Sequence, residues 1–311
     1  MKRFKEIVFL KGLKGVGKAR IYKFYKEILE SDASLEKIVE YVKENEGKLS
    51  KEEINTSYLN SLSLDEYVKK HNITALTFLD DDFPDSLSVM GNKMPLILYY
   101  KGDLSLLNKK IISIIGTRNP STESAEAEER FVRELIDKED IVVLSGMALG
   151  CDTIAHEMTL KKRGKTIAVL PGALDKIYPK ENDSLASWIV NEGGLLLSEY
   201  DPGKVATNYT FVERDAIIAA LSEKVFVIEC SENSGTMQTV EDAKKYGRPI
   251  AFYNTDSINE ESFGGNKKIS DEKIGYAIDS FDDLQIFLNN DTIGLKDRLL
   301  EYQCTINDIL K

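Results

Sequence analysis

Between Leu106 and Phe252, six apolar runs of strand length recur, each separated from the next by a stretch with helical spacing. The runs are Ile111–Ile115, Ile141–Leu144, Thr166–Leu170, Leu195–Leu197, Val225–Ile228 and Ile250–Phe252. Short runs without polar alternation are buried on both faces, so helices must cover both sides. The intervening segments supply them near Glu123–Ile136, Thr153–Lys162, Glu181–Asn191, Tyr209–Leu221 and Met237–Tyr246. This alternation predicts an α/β fold with a doubly wound, mostly parallel sheet. A chain of 311 residues that is 42% hydrophobic has enough apolar side chains for such a core. Wholesale disorder is excluded. No apolar run is long enough to span a bilayer, so no membrane association is expected.

The remaining sequence attaches smaller pieces to this sheet. Residues 1–66 read as a helical N-terminal domain, with apolar residues at helical spacing (Ile21, Phe24, Tyr25, Ile28; Leu35, Ile38, Val39, Val42). Residues 67–105 read as a connector carrying one or two strands, and 106–288 as the sheet domain. Past about residue 256 the expectation is a polar, Gly-containing loop, a strand at Tyr276–Ile278 and a helix at Asp282–Leu288. A tail at 289–311 offers one more candidate helix. The net charge is −11, yet residues 1–30 carry nine Lys and Arg against three Glu, a local charge of +6 that leaves −17 elsewhere. The basic start lacks a signal-peptide core and cleavage site. Cys151, Cys230 and Cys304 have neither disulfide-framework nor zinc spacing, which predicts a reduced, cytoplasmic chain without bound metal.

In open α/β sheets ligands bind where strand ends turn into helix N-termini. Distinctive loops stand at these ends. The first strand is followed by Gly116-Thr117-Arg118-Asn119-Pro120-Ser121, with Arg118 a phosphate partner and Ser121 or Thr122 a helix cap. The second ends in Ser145-Gly146-Met147-Ala148-Leu149-Gly150-Cys151-Asp152, where Asp152 is placed as a cap. These loops match neither a dinucleotide fingerprint nor a Walker loop, so no nucleotide cofactor is expected. Lys176 follows the third strand, Lys204 the fourth, and Ser234-Gly235-Thr236 opens the helix after the fifth. With Arg214 these residues outline a phosphate-lined groove that lacks a proton-transfer pair. Cys151 and His156, five residues apart, face different sides of their helix, and His156 reads as a packed or capping residue. Asp175 and Glu199 read as loop supports, Trp188 as part of a buried helix face, Tyr200 as the better stacking candidate, and Asp80–Asp82 as a solvated turn.

In this order the loops resemble the DNA-processing protein family, DprA or Smf. The resemblance rests on DDFPDSL (81–87), PLILYYKGDLSLL (95–107), IGTRNPS (115–121), VLSGMALGCDTIAHEMTL (143–160), TIAVLPGALDKIYPKEN (166–182), LLLSEYDPG (195–203), FVERDAIIAALS (211–222) and SGTMQTVEDAKKYGRPI (234–250), with a weaker match at FGGNKKIS (263–270). It implies an extended Rossmann-like fold without a dinucleotide. It also implies binding and protection of single-stranded DNA, homodimerisation, and loading of the recombinase RecA during transformation. The site implied comprises Gly116, Thr117, Arg118, Ser145, Gly146, Gly150, Lys176, Lys204, Arg214, Ser234, Gly235 and Thr236.

The chain departs from the family pattern at four places. Arg214-Asp215-Ala216 replaces an Arg-Asn-Arg element, and the added carboxylate opposes phosphate binding by like-charge repulsion. Val212 replaces a proline, Glu123-Ser124 a Tyr-Gly pair, and Tyr253-Asn254-Thr255 a Val-Pro-Gly. The winged-helix domain of some members does not fit in the residues after 285.

Leu13-Lys14-Gly15-Val16-Gly17-Lys18-Ala19 is similar to the Gly-apolar-Gly turn of a helix-hairpin-helix, in which Lys14, Gly15, Gly17 and Lys18 would hold a phosphate. A turn within a protein-docking module is the other reading. The fold also resembles nucleotide phosphoribohydrolases, which implies a nucleotide-binding enzyme or sensor as the alternative function. Thr239 stands where that signature has its active-site glutamate, and Glu241 comes two residues late.

Overall fold

Four helices open the chain and bury apolar side chains against one another. In the computed structural model, which describes residues 1–27, 33–45, 49–137, 141–255 and 261–289, α1 spans Phe4–Gly12, α2 Lys18–Glu27, α3 Leu35–Asn45 and α4 Lys51–Lys70. Ile7, Phe9, Leu10, Ile21, Phe24, Ile38, Val42 and Ile54 form their shared core, all 2% exposed or less. A reciprocal capping box starts α4: Ser50 Oγ accepts from the Glu53 amide at 3.1 Å, and the Glu53 carboxylate accepts from the Ser50 amide at 2.8 Å. The Ser57 hydroxyl donates to the Phe9 carbonyl at 2.6 Å where α4 meets α1. β1 (Thr74–Thr77) then pairs antiparallel with β2 (Ile97–Gly102), Thr74 opposite Tyr100 and Thr77 opposite Ile97. Asp80 closes the turn after β1, its carboxylate accepting from the amides of Thr77 and Lys2 at 2.8 and 2.7 Å.

Contacts divide the described residues into two compact units. The smaller holds Met1–Tyr100 and Glu199–Pro202; the larger holds Lys101–Ser198 and the residues from Gly203 to 289. Within the larger, β3 (Lys110–Ile115), β4 (Ile141–Ser145), β5 (Lys165–Val169) and β6 (Leu195–Ser198) alternate with α5 (Thr122–Ile136), α6 (Cys151–Lys161) and α7 (Asp183–Asn191). There follow α8 (Asn208–Leu221), β7 (Lys224–Val227), α9 (Gly235–Lys245), β8 (Ile250–Tyr253), α10 (Gly264–Asp271), β9 (Tyr276–Ile278) and α11 (Phe281–Asn289). These seven strands are all parallel and run β6-β5-β4-β3-β7-β8-β9. Ile112, Ile114, Val143, Leu144, Ile167, Val169, Leu195, Leu197, Val225, Phe226 and Val227 are fully buried, which accounts for the unbroken apolar runs.

The order turns at β3. The chain winds outward from it through β4, β5 and β6, then returns to its other edge with β7. Strand direction, alternation and all six core strands match the sequence expectation, with ends shifted by a residue. Two elements differ. The segment expected as polar loop contains α10, whose Gly-Gly-Asn-Lys-Lys start has no apolar periodicity. Buried Asn266 holds it in place: Oδ1 accepts from Cys230 N at 2.9 Å, and Nδ2 donates to the carbonyls of Ile228 and Tyr253 at 2.8 and 3.0 Å. The third covering helix starts at Asp183 after a single 3-10 turn at Lys180–Asn182, and Trp188 on it is only half-buried. The candidate helix of the tail and Cys304 lie outside the described residues, as do Ile28 and the side chain of Tyr25.

Candidate functional site

At the turning point of the sheet, the ends of β3 and β7 diverge into loops that leave a pocket of about 290 Å³. Gly116, Thr117 and Arg118 line it from β3, Ala148 and Asp152 from the loop after β4, Phe211, Arg214, Asp215 and Ile218 from α8, and Ser234, Gly235, Thr236 and Thr239 from α9.

Close backbone contacts build the floor. The Thr117 amide donates to the Glu229 carbonyl at 2.7 Å, and Cys151 N donates to the Thr117 carbonyl at 3.1 Å. Gly150 makes that approach possible: it adopts φ 78°, and a Cβ there would lie 2.5 Å from the carbonyls of Thr117 and Arg118. Glu229, 1% exposed, accepts from both Ser121 N and Ser121 Oγ at 2.9 Å, tying the start of α5 to the end of β7. Ser121 in turn caps α5 by accepting from Ser124 N, and Ser234 caps α9 by accepting from Met237 N. Thr236 Oγ1 donates to the Gly116 carbonyl at 3.0 Å.

The two arginines differ sharply. Arg118 is exposed, its guanidinium 5.2 Å above the Phe211 ring. Arg214 is 5% exposed: Nη1 donates to the carbonyls of Gly146 and Val169, and Nε pairs with Asp215 Oδ1 at 2.8 Å. Asp152, expected as a cap, instead lies inside the first turn of α6 and accepts from Ala148 N at 3.0 Å. Burial pushes its carboxyl upward against the pull of Arg214. Burial likewise raises Asp215, to about 6, with Arg214 opposing the shift.

Around the mouth the surface turns aromatic. Tyr178 meets Phe211 edge-on at 5.7 Å, and Arg118, Gly146, Ala148, Leu149, Tyr178, Pro179 and Phe211 enclose an adjoining recess of about 60 Å³. Tyr178 is 46% exposed, a large apolar surface for a residue beside a polar pocket.

Of the residues singled out in the sequence, Gly116, Thr117, Arg118, Arg214, Ser234, Gly235 and Thr236 meet in one pocket. Gly146 borders the recess. Ser145 lies beneath, fully buried, its hydroxyl donating to the Ile114 carbonyl at 2.7 Å. Lys176 and Lys204 are exposed on neighbouring loops outside the pocket lining, joined where Ala173 N donates to the Lys204 carbonyl at 3.0 Å. Asp175 supports the same junction, accepting from Gly203 N. Lys14, Gly15, Gly17 and Lys18 belong to the smaller unit, where Lys18 Nζ pairs with Glu199 at 3.0 Å. Tyr200 belongs to that unit as well.

Phe211, Tyr178 and Glu229 were not expected. The only sequence signal for Phe211 is an aromatic side chain in the first turn after a polar loop. Thr239 lines the pocket, whereas Glu241 is exposed on α9 away from the lining. Cys151 and His156 have separate surroundings. Cys151 packs under Gly116 beside the buried Glu128 carboxyl, which burial holds well above the carboxylate range. The Thr166 hydroxyl donates to the Val143 carbonyl, so it accepts the His156 Nδ1 proton at 2.7 Å.

Fold and pocket together define a Rossmann-like protein whose strand-end site replaces the dinucleotide loop with small residues, one exposed arginine and an aromatic rim. Residues 74–289 match the family of DNA recombination-mediator protein A, and the chain belongs to it. DNA processing protein DprA of Streptococcus pneumoniae is 39% identical over 176 residues, 57% of this chain and 61% of that protein. DprA of Bacillus subtilis is 35% identical over 194 residues, 61% of this chain and 64% of that protein. The chain therefore spans less than two thirds of the length of these relatives. In three dimensions, DprA of S. pneumoniae aligns with a TM-score of 0.72 at 29% identity, covering 91% of this chain and 96% of that one. DNA processing protein A of Helicobacter pylori, whose structure concerns its single-stranded DNA binding mode, aligns with a TM-score of 0.61 at 30% identity, covering 70% and 94%. Among the described residues, no helix is long and apolar enough to cross a membrane.

Proposed function

We propose that the chain binds single-stranded DNA at the strand ends of its larger unit and serves as a recombination mediator that loads RecA recombinase as a homodimer. The observation that carries the DNA reading is the position of Arg118: it stands between the pocket and the aromatic rim, able to hold a phosphate while a base stacks on the exposed Tyr178. Backbone amides at the start of α9 and the hydroxyls of Thr117 and Ser234 add neutral donors, while Lys176 and Lys204 supply outlying charge. Base faces are alike for stacking, so this platform favours strands over duplexes, whose bases are already stacked. Family membership and the H. pylori relative support the same reading.

The test is an anisotropy titration with single- and double-stranded oligonucleotides of one sequence at two salt concentrations. Preferential binding of the single strand, with a salt slope that falls in Arg118→Ala, is the expected result. Equal binding of duplex, or a slope unchanged by the substitution, would overturn the assignment. RecA loading is tested separately, by the rate of RecA filament formation on coated strands with and without the protein.

A further inference from the structure

The inner wall of the pocket is a poor seat for phosphate. Arg214 already has two carbonyl partners and Asp215, so its charge is spent inside the protein. Asp152 adds a second acidic group to the same wall. A phosphate placed there would face two acidic side chains.

The wall suits a neutral ligand that carries hydrogen-bond donors. Asp215 is rigidly held, because Arg214, which grips its Oδ1, is itself fixed to Gly146 and Val169. A carboxylate oxygen has more than one lone-pair direction, so the Arg214 pair leaves acceptor capacity. Across from it, Gly235 carries no side chain; a methyl group there would stand 3.8 Å from Asp215 Oδ2. The Phe211 ring also lines the pocket, whose 290 Å³ lies just below the small-ligand range of about 300–1,000 Å³. That space suits a base better than a whole nucleotide.

We propose that Asp215 is a specificity-determining residue that selects guanine within bound single-stranded DNA, its carboxylate accepting from the N1–H and the N2 amine of one guanine inserted in the pocket. The inference rests on the single-stranded DNA reading above. Guanine alone presents two adjacent donors on one edge. Adenine and cytosine pair one amine with a ring acceptor, and thymine flanks a single N–H with two carbonyls that would face the carboxylate.

The test uses the full chain and 15-nucleotide oligothymidylates carrying one central dG, dC, dA or dT in anisotropy competition. The dG strand is expected to bind about tenfold more tightly than the all-dT strand. Replacing dG by deoxyinosine, which lacks the N2 amine, should lose most of that advantage. Replacing it by 7-deaza-dG, altered on the unused edge, should lose none. Asp215→Asn and Gly235→Ala should each bring the four strands to within about twofold of one another, the alanine by filling the space before the carboxylate. Equal binding of all strands by the wild type would overturn the proposal while leaving the single-stranded DNA reading intact. So would an equal loss with inosine and 7-deaza-dG, or an Asp215→Asn variant that strengthens every strand alike, the signature of a phosphate beside Asp215. Failure to bind any strand would overturn both readings. The inosine and deaza arms need no variant, so they stand even if a substitution fails to fold.

Discussion

Arg118 and Arg214 both approach the ring of Phe211, at 5.2 and 5.6 Å, yet they sit in different environments. On the rim, Arg118 is exposed and beside open surface. On the inner wall, Arg214 is buried, and its hydrogen bonds join the ends of β4 and β5 to α8. The same residue type is available to a ligand on one side and consumed by the fold on the other. An arginine in a phosphate-binding pattern therefore has to be judged by its acceptors before it is counted as a contact.

The largest expected effect breaks the inner wall. Arg214→Ala leaves Asp215 and Asp152 without their cation and two carbonyls without a donor. A loss of about 3–5 kcal/mol in denaturant unfolding is expected, as for a broken buried ion pair. A loss near that of an ordinary surface substitution would return Arg214 to the rim class.

A smaller effect, coupled to the charge of Arg214, appears on acidification. Burial, helped by the charge of Arg214, depresses His156 from 6.5 to about 3. The folded state holds this imidazole neutral, so its contribution is complete above the unfolded value of about 6.5 and is lost as pH falls from there towards 3, by up to about 1.4 kcal/mol per unit. Calorimetry at pH 7.5 and 5 should show a smaller drop in Tm for His156→Gln than for the parent. Equal drops would assign the acid sensitivity to carboxylates.

On the rim the expectation reverses. Arg118→Ala should change stability by less than about 0.5 kcal/mol. It should weaken single-stranded DNA binding about tenfold, as for one lost charged hydrogen bond, and lower the salt slope by about 0.7. Destabilisation comparable to Arg214→Ala would erase the distinction between the two sides.

The smallest effect concerns the turn of the smaller unit. Lys14→Ala, at an exposed lysine, is expected to weaken long oligonucleotides a few-fold and leave short ones unchanged, because only a long strand gains a second attachment. Equal losses at both lengths, or none, would assign Gly15–Gly17 to protein docking. The two-unit division carries its own check: a chain starting at Lys101 is expected to keep a cooperative unfolding transition, since the seven parallel strands form one continuous sheet within the larger unit.

How far these features were legible depends on the range of the interactions behind them. The strands could be read because burial on both faces writes itself as unbroken apolar runs such as Ile111–Ile115. The glycine and hydroxyl loops were legible for a similar reason, since each is a local solution to a tight strand–helix turn. Strand order was not legible: nothing within Lys110–Ile115 says that β7 lies on its far side. The role of Arg214 was hidden because its acceptors, Gly146 and Val169, are 68 and 45 residues away. The helix α10 escaped because a buried asparagine holds it, without the apolar stripe that marks other helices. Phe211 and Tyr178 looked like ordinary aromatics until the fold brought their rings together.

Two of the departures from the family pattern meet in space. Glu123 Oε1 accepts from Thr255 Oγ1 at 2.5 Å and from the Tyr253 hydroxyl at 3.3 Å, joining the first turn of α5 to the end of β8. A glutamate that replaces a tyrosine thus finds the two hydroxyls that replace a valine and a glycine. Exchanging either segment for the residues of the family pattern would leave the other without its partner. A chimera with a crossover anywhere between residues 124 and 252 splits the set, and the cost falls on the product that keeps Glu123 without Tyr253 and Thr255.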